Sequence, residues 1–78
     1  MVGFERITFE PDVLGGKACI RGMRISVSLV MNLLANGMTT NEIVREYPDL
    51  EPADINECLR YAAWATDEAV YLAHQEPA

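Results

Sequence analysis

The sequence predicts a mainly α domain: a short N-terminal β-hairpin followed by three helices, the last two forming a helix-turn-helix. Three observations carry this. Phe4-Glu5-Arg6-Ile7-Thr8-Phe9-Glu10 alternates apolar and polar residues, the period of a strand. Residues 27–36 form an apolar run between Ser26 and Gly37, a helix with an N-cap at one end and a C′ glycine at the other. Thr39 with Glu42 three residues later has capping-box spacing, and Pro48 and Pro52 mark a turn and then the start of a new helix.

Each element arises from local chemistry. After the first strand, Pro11-Asp12 and Gly15-Gly16 punctuate a loop, and Ala18-Cys19-Ile20-Arg21 suits a second short strand. Gly22 marks a position that needs positive φ or close backbone approach. Residues 4–25 thus read as a β-ribbon, 26–37 as a buried helix, and 39–73 as the helix-turn-helix and C-terminal helix of one domain spanning 1–78. In the first helix, Ser28, Asn32 and Asn36 recur every fourth residue as a narrow polar stripe. Such a helix needs cover nearly all round. Leu29, Val30, Leu33 and Leu34 are accordingly candidates for the core of a homodimer, which a 78-residue chain without staples commonly needs to complete its core. In the third helix, Ile55, Cys58, Leu59, Ala62 and Ala63 are expected to face inward with Ile43 and Val44.

Charge is uneven. The net charge is −6, yet residues 1–24 hold four cations against three acids, while residues 25–78 hold two against nine. Duplex binding draws most of its affinity from phosphate neutralisation, so only the ribbon is suited to it. Lys17, Arg21 and Arg24 are the candidate phosphate contacts; the alternative is that they pair with the surplus acids, within the chain or across a dimer. Asn56 and Arg60, early in the third helix, are the candidate base-reading residues, although Asp54 and Glu57 beside them are expected to face solvent and repel phosphates. Tyr61, Trp64, Glu68 and Tyr71 share an outward face on which aromatics alternate with acids. Trp and Tyr are residue types that anchor protein interfaces, so this face is a candidate for docking another protein or for self-association.

Other classes are set aside. Cys19 and Cys58 lack CxxC spacing and read as small buried hydrophobes of a reducing cytoplasm. No base accompanies Cys58, Gly15-Gly16-Lys17 lacks phosphate-loop spacing, and Asp54 with Glu57 is too few ligands for a metal site. Neither an enzyme, a cofactor, a metal nor a small-molecule substrate is expected, and no run approaches the roughly 20 apolar residues of a membrane span.

Several motifs together resemble one family. Gly16-Lys17, Ile20-Arg21-Gly22 and Arg24-Ile25 with Val27, then Gly37, Thr39-Thr40-Asn41-Glu42-Ile43, Tyr47-Pro48-Asp49-Leu50, Asp54-Ile55 and Tyr61-Ala62-Ala63, are similar in order and spacing to the domain-of-unknown-function family number 433. The resemblance implies a helix-turn-helix of winged or homeodomain-like kind. It also implies an antitoxin that neutralises a PIN-like nuclease toxin and autoregulates its operon by binding operator DNA. A transcriptional regulator without a toxin, or a homodimeric interaction module, is the alternative.

Overall fold

A computed structural model describes the backbone of residues 3–75 and the side chains of residues 3–67. The element order is β1 (Ile7–Thr8), a 3-10 turn (Leu14–Gly16), β2 (Cys19–Ile20), α1 (Val27–Ala35), α2 (Thr40–Glu46) and α3 (Pro52–Gln75). The predicted architecture of a short hairpin and three helices is present.

The hairpin is shorter than the alternation predicts. β1 and β2 pair antiparallel through Ile7 with Ile20 and Thr8 with Cys19 only. The Ile7 N–H donates to the Phe4 carbonyl, so Glu5-Arg6 form a turn rather than extended strand. That turn brings Phe4 into the core. Beyond β2 the chain reverses again: Met23 N–H donates to the Ile20 carbonyl at 2.8 Å, and Ile20 N–H to the Ile25 carbonyl at 2.9 Å. The two residues inside this reversal, Arg21 (φ 45°) and Gly22 (φ 72°), are both left-handed, the pattern of a type I′ turn. Gly22 meets that demand freely; Arg21 does so under strain.

The helices begin as their caps dictate. The Ser26 hydroxyl accepts from Leu29 N–H, and Thr39 and Glu42 form both halves of the capping box. Pro52 opens α3 at its first position. The core joins Phe4, Ile7 and Ile20 of the ribbon to Val27 and Val30 of α1, Ile43 of α2, Leu50 of the turn, and Ile55 and Cys58 of α3. Cys19 and Cys58 are free and buried, and desolvation pushes the Cys58 thiol up to about 12, far from thiolate reactivity at neutral pH.

Three expectations change. In α1 only Val27 and Val30 are buried. Val30 lies wholly inside its own protomer and has no surface for a partner, while Leu33 and Leu34 pack against the same core and Leu29 is half-buried. The apolar run is thus covered largely by α3 and α2. Leu59 and Ala63, expected inward, are exposed, Leu59 by 44%, because the inward stripe of α3 runs through Asp54, Ile55 and Cys58 and leaves both on its flank. Asp54, expected to face solvent, has no exposed surface at all.

Asp54 is held from three directions. Arg6 Nη1 donates to Oδ1 at 2.9 Å; Arg21 donates from Nε at 3.0 Å and from Nη2 at 2.8 Å, a two-point grip. The backbone N–H of Glu51, at the N-cap of α3, donates to Oδ2 at 2.8 Å. Burial pushes this carboxyl up, but the Arg21, Glu51 and Arg6 bonds outweigh it and hold it at about 2. Arg6 also bonds Glu51 at 2.7 Å, its backbone N–H donates to Glu57, and Arg21 Nη2 reaches the Asp49 carbonyl at 2.7 Å. Two ribbon arginines therefore clamp the start of α3.

A group depressed in the folded state stabilises above its ordinary value and loses that contribution as pH falls. Stability should accordingly drop between about pH 4 and pH 2 as Asp54 protonates, with a further share from Glu42, whose carboxylate is lowered by the Thr39 backbone N–H. Asp54→Asn keeps the shape and removes the charge. We expect it to lower stability by about 3 kcal/mol near neutrality and to flatten that acid limb, measured by urea unfolding at a series of pH values. A variant as stable as the parent, with the same acid limb, would exclude the clamp. Gly22→Ala places a side chain at φ 72° and 3.5 Å from the Glu10 carboxylate, and should cost about 1 kcal/mol in the same assay.

Candidate functional site

With two arginines committed to Asp54, the candidate residues divide. Among the ribbon cations, Arg21 has its guanidinium occupied on α3, whereas Lys17 and Arg24 are exposed and have no ion-pair partner among the described residues. At the predicted reading helix, Asn56 is exposed. Arg60 lies 5.4 Å over the Phe4 ring and within 3.8 Å of Glu57, so its charge is already partnered on both sides. The structure does not bring Lys17, Arg24, Asn56 and Arg60 together as one basic stripe: Arg60 sits over the Phe4 turn, whereas Lys17 borders the opposite, apolar side of α3.

What the fold does assemble is aromatic. Phe4, buried, stacks edge-on to Tyr61 with ring centroids 5.5 Å apart and interplanar angle 89°. It also touches Trp64 at 5.7 Å; Tyr61 lies 5.9 Å from Trp64 and 6.1 Å from Phe9. These are contact distances for favourable aromatic pairs. The cluster is anchored at Phe4 and open at its outer edge, where Trp64 is 57% and Phe9 47% exposed. Phe9 belongs to this face, which residue spacing along α3 alone does not indicate, since it arrives from the ribbon. Glu68 and Tyr71 continue the same helix, but their side chains lie outside the described residues.

Around α3 from this cluster lies a second concave feature. A groove of about 440 Å³ runs between Lys17, Ala18, Val27 and Ser28 on one wall and Tyr61, Ala62, Ala65 and Thr66 on the other. Its α3 wall sets the small Ala62, Ala65 and Thr66 beside Tyr61, which it shares with the aromatic cluster, and the exposed Lys17 lines the facing wall.

Among the described residues, no group of three His, Cys, Asp or Glu converges to hold a metal ion. No described helix is long and apolar enough to cross a membrane. The geometry offers rigid aromatic and apolar surface, which is suited to docking.

The comparisons with known proteins agree with the fold. The crystal structure of a DUF433 member protein from Anabaena variabilis ATCC 29413 superposes with a TM-score of 0.74 at 27% identity, over 90% of this chain and 69% of that one. No curated protein matches the chain. The family model described as "Protein of unknown function (DUF433)" matches residues 7–62, which takes in the hairpin, the Arg21–Asp54 clamp and the helix-turn-helix, and the chain therefore belongs to that family.

Proposed function

We propose that this protein is a binding partner of antitoxin type, which docks another protein on the open aromatic face formed by Phe9, Tyr61 and Trp64. The observation that carries the reading is the half-exposed cluster itself. Trp64 and Phe9 stay largely in water, while buried Phe4 backs Trp64 and Tyr61, and Tyr61 in turn touches Phe9. A preorganised aromatic anchor loses little side-chain freedom on binding, which is why such residues dominate interface energetics. The partner class, a PIN-like nuclease, comes from the family resemblance.

The charge pattern bears on how inhibition works. Residues 61–78 contain no Lys or Arg, so this segment offers no cation to plug a carboxylate-lined nuclease site. Aromatic docking that covers the approach of RNA, or acids that compete for a positive rim, fits the residues present.

Autoregulation through operator DNA has the α2–α3 shape in its favour, and the charge distribution against it. Arg21 is bound to Asp54 and Arg60 to Glu57 and Phe4, which leaves Lys17 and Arg24 as the ribbon's available cations. Two phosphate contacts give a shallow salt dependence and weak binding.

Trp64 is the only tryptophan, so its fluorescence reports directly on this face. On titration with the PIN-like nuclease encoded nearest to it, the emission should shift and nuclease activity should fall. Trp64→Ala should weaken the complex by about 2 kcal/mol or more, roughly 30-fold in Kd by calorimetry. Unaltered affinity would place the docking surface elsewhere, and nuclease activity unaffected at saturation would remove the antitoxin role.

A further inference from the structure

The turn that ends α1 sets a side-chain amide beside a backbone nitrogen with which it can react. Asn36 is the C-cap of the helix, and Gly37 follows it at φ 95°, a left-handed position that suits glycine. Gly37 N–H donates to the Leu34 carbonyl at 3.0 Å and Met38 N–H to the Leu33 carbonyl at 3.1 Å, the two bonds of a Schellman motif. Asn36 Nδ2 adds a third tie, donating to the Asn32 carbonyl at 2.8 Å. Asn36 and Gly37 are both exposed, and nothing lies within 4 Å of the place a Gly37 Cβ would occupy.

We propose that Asn36–Gly37 is a site of spontaneous modification, at which the asparagine loses ammonia and the product unlatches α1 from α2. A nucleophile within the same short segment acts at high effective concentration. Here it is the Gly37 amide nitrogen, once base removes its proton, and the electrophile is Asn36 Cγ. The new N–Cγ bond closes a five-membered succinimide, and Nδ2 takes up a proton and leaves as ammonia. Water then opens the ring. Cleavage of the N–Cγ bond gives aspartate with the normal backbone. Cleavage between that nitrogen and the main-chain carbonyl of residue 36 gives isoaspartate, whose backbone is longer by one carbon. Water is the only co-reactant.

Two features select this asparagine. A Cβ on the following residue hinders the approach of its nitrogen, and only Asn36 precedes a glycine; Asn32, Asn41 and Asn56 precede Leu33, Glu42 and Glu57. Those three also lie within α1, α2 and α3, whereas Asn36 lies just past a helix end. The fold restrains the reaction in turn. Attack on Cγ requires the Gly37 N–H to leave the Leu34 carbonyl, so it proceeds from the frayed end and its rate follows the opening of this turn. The product cannot rebuild what was lost. A carboxylate at position 36 has no N–H for the Asn32 carbonyl, and it puts negative charge at the negative end of the α1 dipole. The extra carbon of isoaspartate falls inside both Schellman rings and displaces Met38, which packs on the core beyond the turn.

Peptide mass spectrometry of the full chain, held in warm, mildly alkaline buffer, tests this without any partner. Asn36 should convert first, gaining the mass difference between an amide and an acid, with isoaspartate in the product, while Asn32, Asn41 and Asn56 persist. Conversion should run severalfold faster in urea, where the turn is open. The aged chain should melt a few degrees below the fresh one, and Asn36→Asp should reproduce the part due to charge and the lost N–H. Asn36→Gln, whose longer side chain does not close the five-membered ring, should keep both its mass and its Tm through the same storage. No conversion at Asn36, or conversion matched at the other three asparagines, overturns the proposal. So do equal rates with and without urea, or a fully converted chain that melts with the fresh one.

Discussion

A single carboxylate ties the two halves of this molecule together. Asp54 sits at the third position of α3, fully buried, and every hydrogen bond it accepts comes from the ribbon arginines or from the backbone at its own helix start. The strands β1 and β2 are two residues each, too short to hold the ribbon by ladder hydrogen bonds. The clamp supplies the missing constraint. It sets where the ribbon crosses α3, and it does so directionally, which the apolar contacts of Phe4, Ile7 and Ile20 cannot. The left-handed φ of Arg21 belongs to the same device. A backbone conformation that costs of order 1 kcal/mol or more is kept because it points the guanidinium at Asp54.

The chain has only six cations against twelve acids, a net charge of −6, and the fold uses half of those cations internally. In the ribbon, Arg6 and Arg21 are directed inward to α3, and on α3 Arg60 is folded over Phe4. Much of the positive charge thus holds the fold together, and the surface left over is acidic and aromatic. Phe4 connects the two roles: its position depends on the turn at Glu5-Arg6, and its ring is the backstop for Tyr61 and Trp64. Loosening the clamp therefore loosens the aromatic face, although no clamp residue except Arg6 neighbours it in sequence.

The helices are legible in the sequence because their signals are local. Ser26, Gly37, the Thr39–Glu42 box and Pro52 act within one helical turn, and each does in the structure what its spacing implies. The ribbon is legible only in outline. Alternation over residues 4–10 is equally compatible with a strand and with a turn that buries every third residue, and the turn at Phe4–Ile7 is chosen by packing against α3. Asp54 misleads for a related reason. A lone acid early in a helix has the pattern of a dipole-stabilising surface residue, and its burial depends on arginines 33 and 48 residues away. Long-range ion pairs leave no periodic trace. Leu59 shows the converse: its hydrophobicity points to the core, but a stripe narrowed by one buried carboxylate has no room for it. The aromatic face is half visible, since Tyr61 and Trp64 share helical spacing while Phe9 joins them across the fold.

The length of α3 is the remaining constraint on how this chain works. Among the residues whose side chains are described, its buried ones end at Cys58 and its half-buried ones at Ala62, within about three turns of the helix start. The helix nevertheless continues to Gln75. Ala63, Trp64, Ala65, Thr66 and Asp67 are all exposed. The exposed residues 63–67 have little tertiary cover and rely largely on helix propensity, since isolated helices shorter than about 12–15 residues are marginal in water. Alanine at residues 62, 63 and 65 favours the helix while presenting little side chain of its own. Such a segment is stiff enough to project and smooth enough to pack closely. Its aromatic face and the smaller-residue face beside Lys17 differ in chemistry and meet at Tyr61, which belongs to both.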